Sequence, residues 1–281
     1  MTHFKTLVKE HYHQLSKSQQ KVAKYLLEQP GDFAIKSAQD IGKEIGVSET
    51  TVIRFCYSLN FNGFSELQKN TREALLQKSS LDEYHEEKLK LAKKPHLFAS
   101  VMEQDSRNIR NAIHSIHEED FQLTVEQIVK AEKVFICGLR SSFAAAQWLT
   151  FTLNIMRDQV FLFRPETDDL LVTLPQLNEN TVFIGISFHR YLKETVELAR
   201  IAKEQNAFVC GITDSPVSPI SKYTSTLLAT SETSTSTIDA TPILFSILNA
   251  LVANVSVMNK ERIEKRKEQY ESFNIHHFFA K

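Results

Sequence analysis

Residues 37–59 read SAQDIGKEIGVSETTVIRFCYSL, and this stretch decides the amino-terminal fold. Ser37 stands at an N-cap position, ahead of an apolar stripe at Ala38, Ile41 and Ile45 whose three- and four-residue spacing builds one buried helical face. Gly46 stops that helix. Ser48 is placed to cap a second one, in which Val52, Phe55, Cys56 and Leu59 share a side and Thr50, Arg54 and Tyr57 take the opposite side. Helix, Gly46-Val47-Ser48 turn and capped second helix fall in the register of a helix-turn-helix. A recognition helix of this kind enters the major groove with its N-terminal residues toward the bases, where its unpaired N–H groups also suit phosphates. Thr50, Thr51 and Arg54 are the expected base or phosphate contacts on double-stranded DNA, with Ser48 and Tyr57 beside them and Lys36 and Lys43 expected at phosphates. Arg54 suits a guanine edge or a phosphate, and the sequence leaves both open. A plain helical hairpin with a solvated polar face is the competing reading.

The 281 residues, 42% of them hydrophobic, have room for one large domain or two smaller ones. A net charge of −1 looks wrong for a DNA binder until it is divided: residues 1–80 hold 11 Lys+Arg against 8 Asp+Glu, the remainder 22 against 26, so the parts carry +3 and −4. So small a positive bias makes a lone domain a weak binder, because phosphate neutralisation supplies much of the affinity. Binding as a homodimer or homotetramer is expected. Cys56, Cys137 and Cys210 lie far apart within apolar runs and read as buried free thiols, which fits a reducing cytoplasm. No signal peptide is read before the first helix, and no apolar run is read as nearing the roughly 18 residues of a membrane span. A soluble cytoplasmic protein without membrane contact is expected.

Before the motif, a helix spans about residues 3–13, and Ser16 to Gln19 offers a capping box that opens a helix through Val22, Ala23, Leu26 and Leu27, ending at Gln29-Pro30-Gly31. After the motif, the Phe61-Asn62-Gly63-Phe64 turn leads into a helix through Leu75 and Leu76. Residues 80–96 are charge-dense and helical up to Pro95, and residues 97–131 read as a docking helix region. From Lys133 the pattern changes to short apolar runs at 134–137, 160–163, 182–186, 208–212 and 226–229. Helices are expected at 142–155, 168–177, 193–205 and 242–257, with a charged helix at 259–271. Strands alternating with helices imply a parallel sheet covered on both faces, a three-layer αβα fold following the all-α domain.

In an open parallel sheet, ligands bind outside the carboxyl ends of the strands near a topological switch point, which directs attention to the loops after the first and third strands. The first reads Gly138-Leu139-Arg140-Ser141-Ser142, two hydroxyls where a helix begins and an anion is held by backbone N–H groups, although Ser141 is also read as a simple N-cap. The third-strand loop carries Ser187, His189 and Arg190, again at a helix start. The Ser/Thr-rich stretch 230–237, Thr233 within it, reads equally as a cover over a ligand and as a flexible loop. His189 invites comparison with an acid–base residue of an isomerase, yet no glutamate is placed beside it as an obvious partner, so a non-enzymatic role is favoured. His114/His117 and His276-His277 lack accompanying ligands, and the glycines of a dinucleotide fingerprint are missing after Gly138. Neither a metal nor a cofactor is expected.

Over nearly its whole length the chain resembles the RpiR/MurR-type bacterial regulators. The resemblance is carried by Leu15-Ser16-Lys17-Ser18-Gln19, Tyr25-Leu26-Leu27, residues 46–55 and 61–67, and, in a second half similar to sugar isomerase (SIS) domains, by residues 138–142, 194–199 and 211–219. It implies a cytoplasmic transcription factor whose SIS domain senses a phosphosugar and dimerises, with Ser141, Ser142 and Ser187 as ligand contacts. The implied division is 1–78 for DNA binding, 79–127 as helical linker and docking helix, 128–268 as SIS domain, and 269–281 as tail. Phosphosugar-binding members usually carry Ser-x-Ser-Gly-x-Thr after the third strand; here Ser187 is kept while His189, Arg190 and Leu192 replace the second Ser, the Gly and the Thr. Arg140 likewise stands where members usually have Gly. The two arginines also suit an acidic non-sugar metabolite.

Overall fold

The computed structural model describes residues 7–8, 11–76, 81–93, 95–164, 166–230 and 238–272. The chain forms two compact units, one built on residues 1–88 and the other on 89–214 and 218–281.

The first unit is helical. After a 3-10 turn at Tyr12–Gln14, α1 (Lys17–Glu28) opens on the expected capping box, Ser16 Oγ accepting from the Gln19 N–H and the Gln19 side chain accepting from the Ser16 N–H. Of the helix expected at 3–13, Leu7 and Val8 are helical, and the larger part lies outside the described residues. Pro30-Gly31 does not simply end a helix: Pro30 is the first residue of a further helix, α2 (Pro30–Ile35), since its fixed φ suits a first turn whose N–H has no partner anyway. Helices α3 (Ala38–Ile45), α4 (Glu49–Ser58) and α5 (Phe64–Leu76) follow. Val22, Leu26, Phe33, Ile41, Val52, Phe55, Cys56, Leu59 and Leu67 form their shared core.

The second unit carries α7 (Leu97–Ser115) and α8 (Glu118–Lys130) ahead of a five-stranded sheet, with α6 (Leu81–Leu91) preceding them in the chain. The strands are β1 (Lys133–Gly138), β2 (Val160–Leu162), β3 (Thr181–Ser187), β4 (Phe208–Thr213) and β5 (Thr226–Ala229), all parallel in the order β2-β1-β3-β4-β5. Every residue of β3 is buried, which is why the strands read as apolar runs rather than alternating ones. One face carries α8, α9 (Phe143–Met156) and α12 (Ala240–Met258), packed through Val125, Ile128, Leu149, Leu153, Leu248 and Leu251. The other carries α11 (Lys193–Glu204) and a 3-10 turn at Pro219–Tyr223, packed through Phe135, Phe183, Leu198, Ala202 and Ile220. Thr124 and Thr226 share a buried hydroxyl hydrogen bond of 2.8 Å that ties α8 to β5.

Two expectations need correction here. The helix expected at 168–177 is a single turn, α10 (Leu170–Thr173), followed by a 3-10 turn at Leu174–Gln176, because Pro175 has no N–H to continue the α-helical ladder. The chain also does hold an apolar run of membrane-spanning length: α12 is 19 residues without a charge, enough by length and composition to cross a membrane. Ile243, Leu244, Ile247, Leu248, Leu251 and Val255 of this helix are buried against the sheet, the pattern of a core helix. The charged segment after it is helical, α13 (Lys260–Ser272).

Candidate DNA-facing helix and effector site

In the first unit, Ser37 Oγ accepts from the Asp40 N–H at 3.1 Å, and Gly46 ends α3 at φ +69°, a left-handed conformation that suits a residue without Cβ. Ser48 Oγ then accepts from the Thr51 N–H at 3.2 Å and lies 2.9 Å from Thr51 Oγ1, fixing the start of α4. Val52, Phe55 and Cys56 are fully buried. Ser48, Thr50, Arg54 and Tyr57 are exposed on the other side, Tyr57 by 55%, with Thr51 half-buried. Arg54 and the exposed Lys43 make no ion pair among the described residues, so both charges face solvent.

Lys36, expected at a phosphate, is ion-paired within the helical unit. Its ammonium lies 2.6 Å from Asp32 and 2.8 Å from Glu44 and donates to Tyr25 Oη at 3.3 Å, while Tyr25 itself donates to Glu44 at 3.0 Å. The two carboxylates push the Lys36 pKa up, and burial pushes Tyr25 up to about 12. Lys36 is thus already neutralised from within, and joins α1, α2 and α3. The signal missed in the sequence was the pair of carboxylates at 32 and 44, one of them a helical turn away.

In the second unit, the order β2-β1-β3-β4-β5 places the switch point between β1 and β3, because the chain leaves β1 toward one edge and returns to its other side at β3. The last paired rung there is Gly138 with Ile186. At Gly138 a Cβ would lie 2.8 Å from the Ser142 carbonyl oxygen and 3.2 Å from Ile186 Cβ, so glycine alone lets the chain turn this tightly. A 3-10 turn at Arg140–Ser142 runs into α9; Ser142, not Ser141, is the N-cap residue, buried and making no side-chain cap. Ser141 is exposed.

At the end of β3, Ser187 is 3% exposed and its Oγ has no hydrogen-bond partner. A buried hydroxyl left unpaired costs about 1–3 kcal/mol. The loop beyond it is pinned by Asp214, which follows β4: Oδ2 accepts from the His189 N–H at 3.0 Å and Oδ1 from Tyr191 Oη at 2.8 Å. Burial raises the Asp214 carboxyl above its ordinary value, against the pull of those two bonds. Asp214 and Tyr191 are the site residues that sequence reasoning did not single out; a polar residue just past a strand's carboxyl end was the available signal. Helix α11 starts at Lys193 with Leu192 as N-cap and no side-chain cap, leaving its first N–H groups open.

Arg140 and Arg190 both adopt left-handed backbone, φ +52° and +67°, at a cost of about 1–2 kcal/mol each for an ordinary side chain. The structure thus gives a physical reason why glycine suits both positions. Both arginines are exposed, and neither makes an ion pair among the described residues. Thr233 lies outside the described residues.

The thiols are unreactive by environment: burial pushes Cys56 and Cys137 up to about 12 and Cys210 up to about 11. Among the described residues, no group of three His, Cys, Asp or Glu side chains is arranged to hold a metal.

Residues 2–78 match the helix-turn-helix domain of the rpiR family, and residues 127–255 match the SIS domain. The chain is 27% identical over 232 residues to an HTH-type transcriptional regulator of Haemophilus influenzae, covering 75% of this chain and 74% of that one. It is 26% identical over 218 residues to the HTH-type transcriptional regulator HexR of Escherichia coli, covering 71% and 68%. Among solved structures, the sugar isomerase domain of an RpiR transcription factor from Sphaerobacter thermophilus superposes with a TM-score of 0.57 at 26% identity, over 64% of this chain and all of that one. The Vibrio vulnificus NanR protein, solved in complex with ManNAc-6P, shares the fold over 99% of both chains with a TM-score of 0.58 at 16% identity. Two matched domains in this order, each with the fold its match requires, make the chain a member of the RpiR family of helix-turn-helix transcriptional regulators with a carboxyl-terminal SIS domain.

Proposed function

We propose that this regulator binds an operator in double-stranded DNA through α4 and adjusts that binding when its SIS domain takes up a small anionic metabolite, a phosphosugar. The observation that carries the reading is the two-sidedness of α4: Val52, Phe55 and Cys56 are fully buried, while Thr50, Arg54 and Tyr57 are exposed. Thr50, Thr51 and Arg54 read bases or phosphates, with Ser48 and Tyr57 beside them and Lys43 at a neighbouring phosphate. Lys36 is revised from a phosphate contact to a support that holds α1, α2 and α3 in place. The effector occupies the end of the sheet between the β1 and β3 loops, with Gly138, Ser141, Ser142, Ser187, His189, Arg140 and Arg190 around it. The unpartnered Ser187 hydroxyl and the open N–H groups of α11 receive the phosphoryl oxygens.

The chain acts as a binding protein in the cytoplasm and not as an enzyme, and it acts as a homodimer or homotetramer. Support for pairing comes from α7, where Phe98, Met102 and Ile113 lie along one side and are 66–71% exposed. Effector binding changes how SIS domains pair and so the spacing of the DNA-binding heads. The test is a mobility-shift titration of the chain against promoter fragments at two salt concentrations, with and without phosphosugars. Sequence-preferring, salt-sensitive binding that Arg54→Ala abolishes without changing the sedimentation coefficient is expected. Equal affinity for every fragment at low ionic strength would overturn the proposal.

A further inference from the structure

We infer that the effector is a phosphosugar acid, carrying a carboxylate in addition to its phosphoryl group, and that Arg140 and Arg190 recognise that carboxylate. The inference deepens the effector reading given above and rests on it. Three observations converge on it.

The first is backbone conformation. Six non-glycine residues have positive φ among the described residues: Asn60, His96, Arg140, Gln159, Arg190 and Asn206. Asparagine tolerates this region because its short side chain bonds locally. Arginine has no such compensation, yet the two arginines of the set stand in the two loops that flank the switch point, two residues beyond Gly138 and four beyond Ile186 on neighbouring strands. Strain kept at a binding loop points to function rather than packing.

The second is charge. Arg157, Arg200 and Arg266 are each engaged by carbonyls or carboxylates. Arg140 and Arg190 are exposed and unpaired among the described residues. The carboxylate that pins the β3 loop, Asp214, is engaged by the His189 N–H and Tyr191 Oη.

The third is the separate provision for phosphate. Ser187 Oγ is buried without a partner at the carboxyl end of β3, and α11 begins without a side-chain cap, so neutral donors already exist for one anionic group. Two guanidinium forks on the rim are then left for a second anion, and a planar carboxylate matches the fork in a way a hydroxyl does not.

The experiment is calorimetric titration of the full chain with matched probes: 6-phosphogluconate against glucose 6-phosphate, arabinonate 5-phosphate against arabinose 5-phosphate, and gluconate and inorganic phosphate alone. The variants are R140G, R190G and the double; glycine relieves the positive φ, so the variants keep their fold and melt no lower than the parent. In at least one matched pair the acid binds the parent about tenfold more tightly than the sugar, the size of one charge-assisted hydrogen-bond set. In the double variant the preference for acid over sugar falls to within about twofold. Equal binding of acid and sugar by the parent, or a preference that survives the double substitution, overturns this inference alone. Failure of every probe to bind overturns the effector site itself, and this inference with it.

Discussion

Replacing Arg157 by alanine destabilises the SIS unit selectively, and the size of the effect follows from where its guanidinium goes. Arg157 closes α9 and is 2% exposed. It donates to the carbonyls of Ile128, Ala131 and Glu132, at 2.7 Å and 3.1 Å for the latter two, and its Nε donates to the Asp158 carbonyl at 3.0 Å. Ile128 lies in the last turn of α8, and Ala131 and Glu132 lead into β1, so one side chain satisfies carbonyls that the helix end leaves open. Burial pulls the Arg157 pKa down to about 10, which still leaves it charged at neutral pH. Each charge-assisted bond contributes about 1.5–3 kcal/mol, and some carbonyls recover water when the side chain is removed. The net loss is about 3–5 kcal/mol, the range for breaking a buried charged network.

Trp148, the single tryptophan, lies on α9 with its ring 5.7 Å from Phe245 of α12, so its emission follows this unit alone. With a urea slope of about 2 kcal/mol/M, the Arg157→Ala midpoint read by Trp148 falls by about 2 M. Arg157→Lys keeps the charge but loses the fork and falls by about half as much. A drop under about 0.5 M for the alanine variant would refute the reasoning and make the carbonyl contacts incidental.

Three further outcomes follow from the two sites. Ser48→Ala removes the cap of α4 and costs the helical unit about 1 kcal/mol, whereas Ser48→Gly costs only a few tenths; thermal melts followed by circular dichroism decide this, and equal losses would show that the cap is not what fixes the helix start. Because burial raises the Asp214 carboxyl in the folded chain above its unfolded value, this group favours folding below the unfolded pKa and loses that contribution as pH rises through the folded one. Asp214→Asn keeps an acceptor for the His189 N–H and offers its amide N–H to Tyr191 Oη in place of the bond Tyr191 donates in the parent, so it gains stability over the parent on the high-pH side, while Asp214→Ala loses both bonds at every pH; parallel pH-dependent melts of parent and Asn variant would contradict this. Gly138→Ala places a methyl 2.8 Å from the Ser142 carbonyl oxygen, costs about 1–3 kcal/mol by overpacking, and shifts the first loop enough to abolish phosphosugar heat in calorimetry; unchanged stability and binding would show that the turn has room to spare.

What the sequence made legible, and what it did not, divides by the distance over which each feature is encoded. The helix-turn-helix was readable because Ser37, Gly46 and Ser48 act within one turn of themselves. The five strands were readable because a sheet covered on both faces forces contiguous apolar runs, and their order in space places the switch point where polar loops had been noted. Lys36 escaped because its charge is cancelled by Glu44, eight residues away, and Asp214 escaped because it bonds His189 across 25 residues. Pro30 misled for a different reason: proline ends one helix and begins the next with equal ease, and only the following Phe33 and Ala34, buried in the core, choose between them. The arginines at 140 and 190 are the sharpest case. Their departure from the family's glycines was legible in the sequence, but no local rule puts arginine in left-handed backbone, so the strain they carry shows only in φ. Residues that satisfy local rules thus built the two scaffolds, while the two arginines that break them stand where a ligand is expected. If strain at the rim of the sheet is what selects the ligand, substitution by glycine there changes what is bound before it changes what is folded.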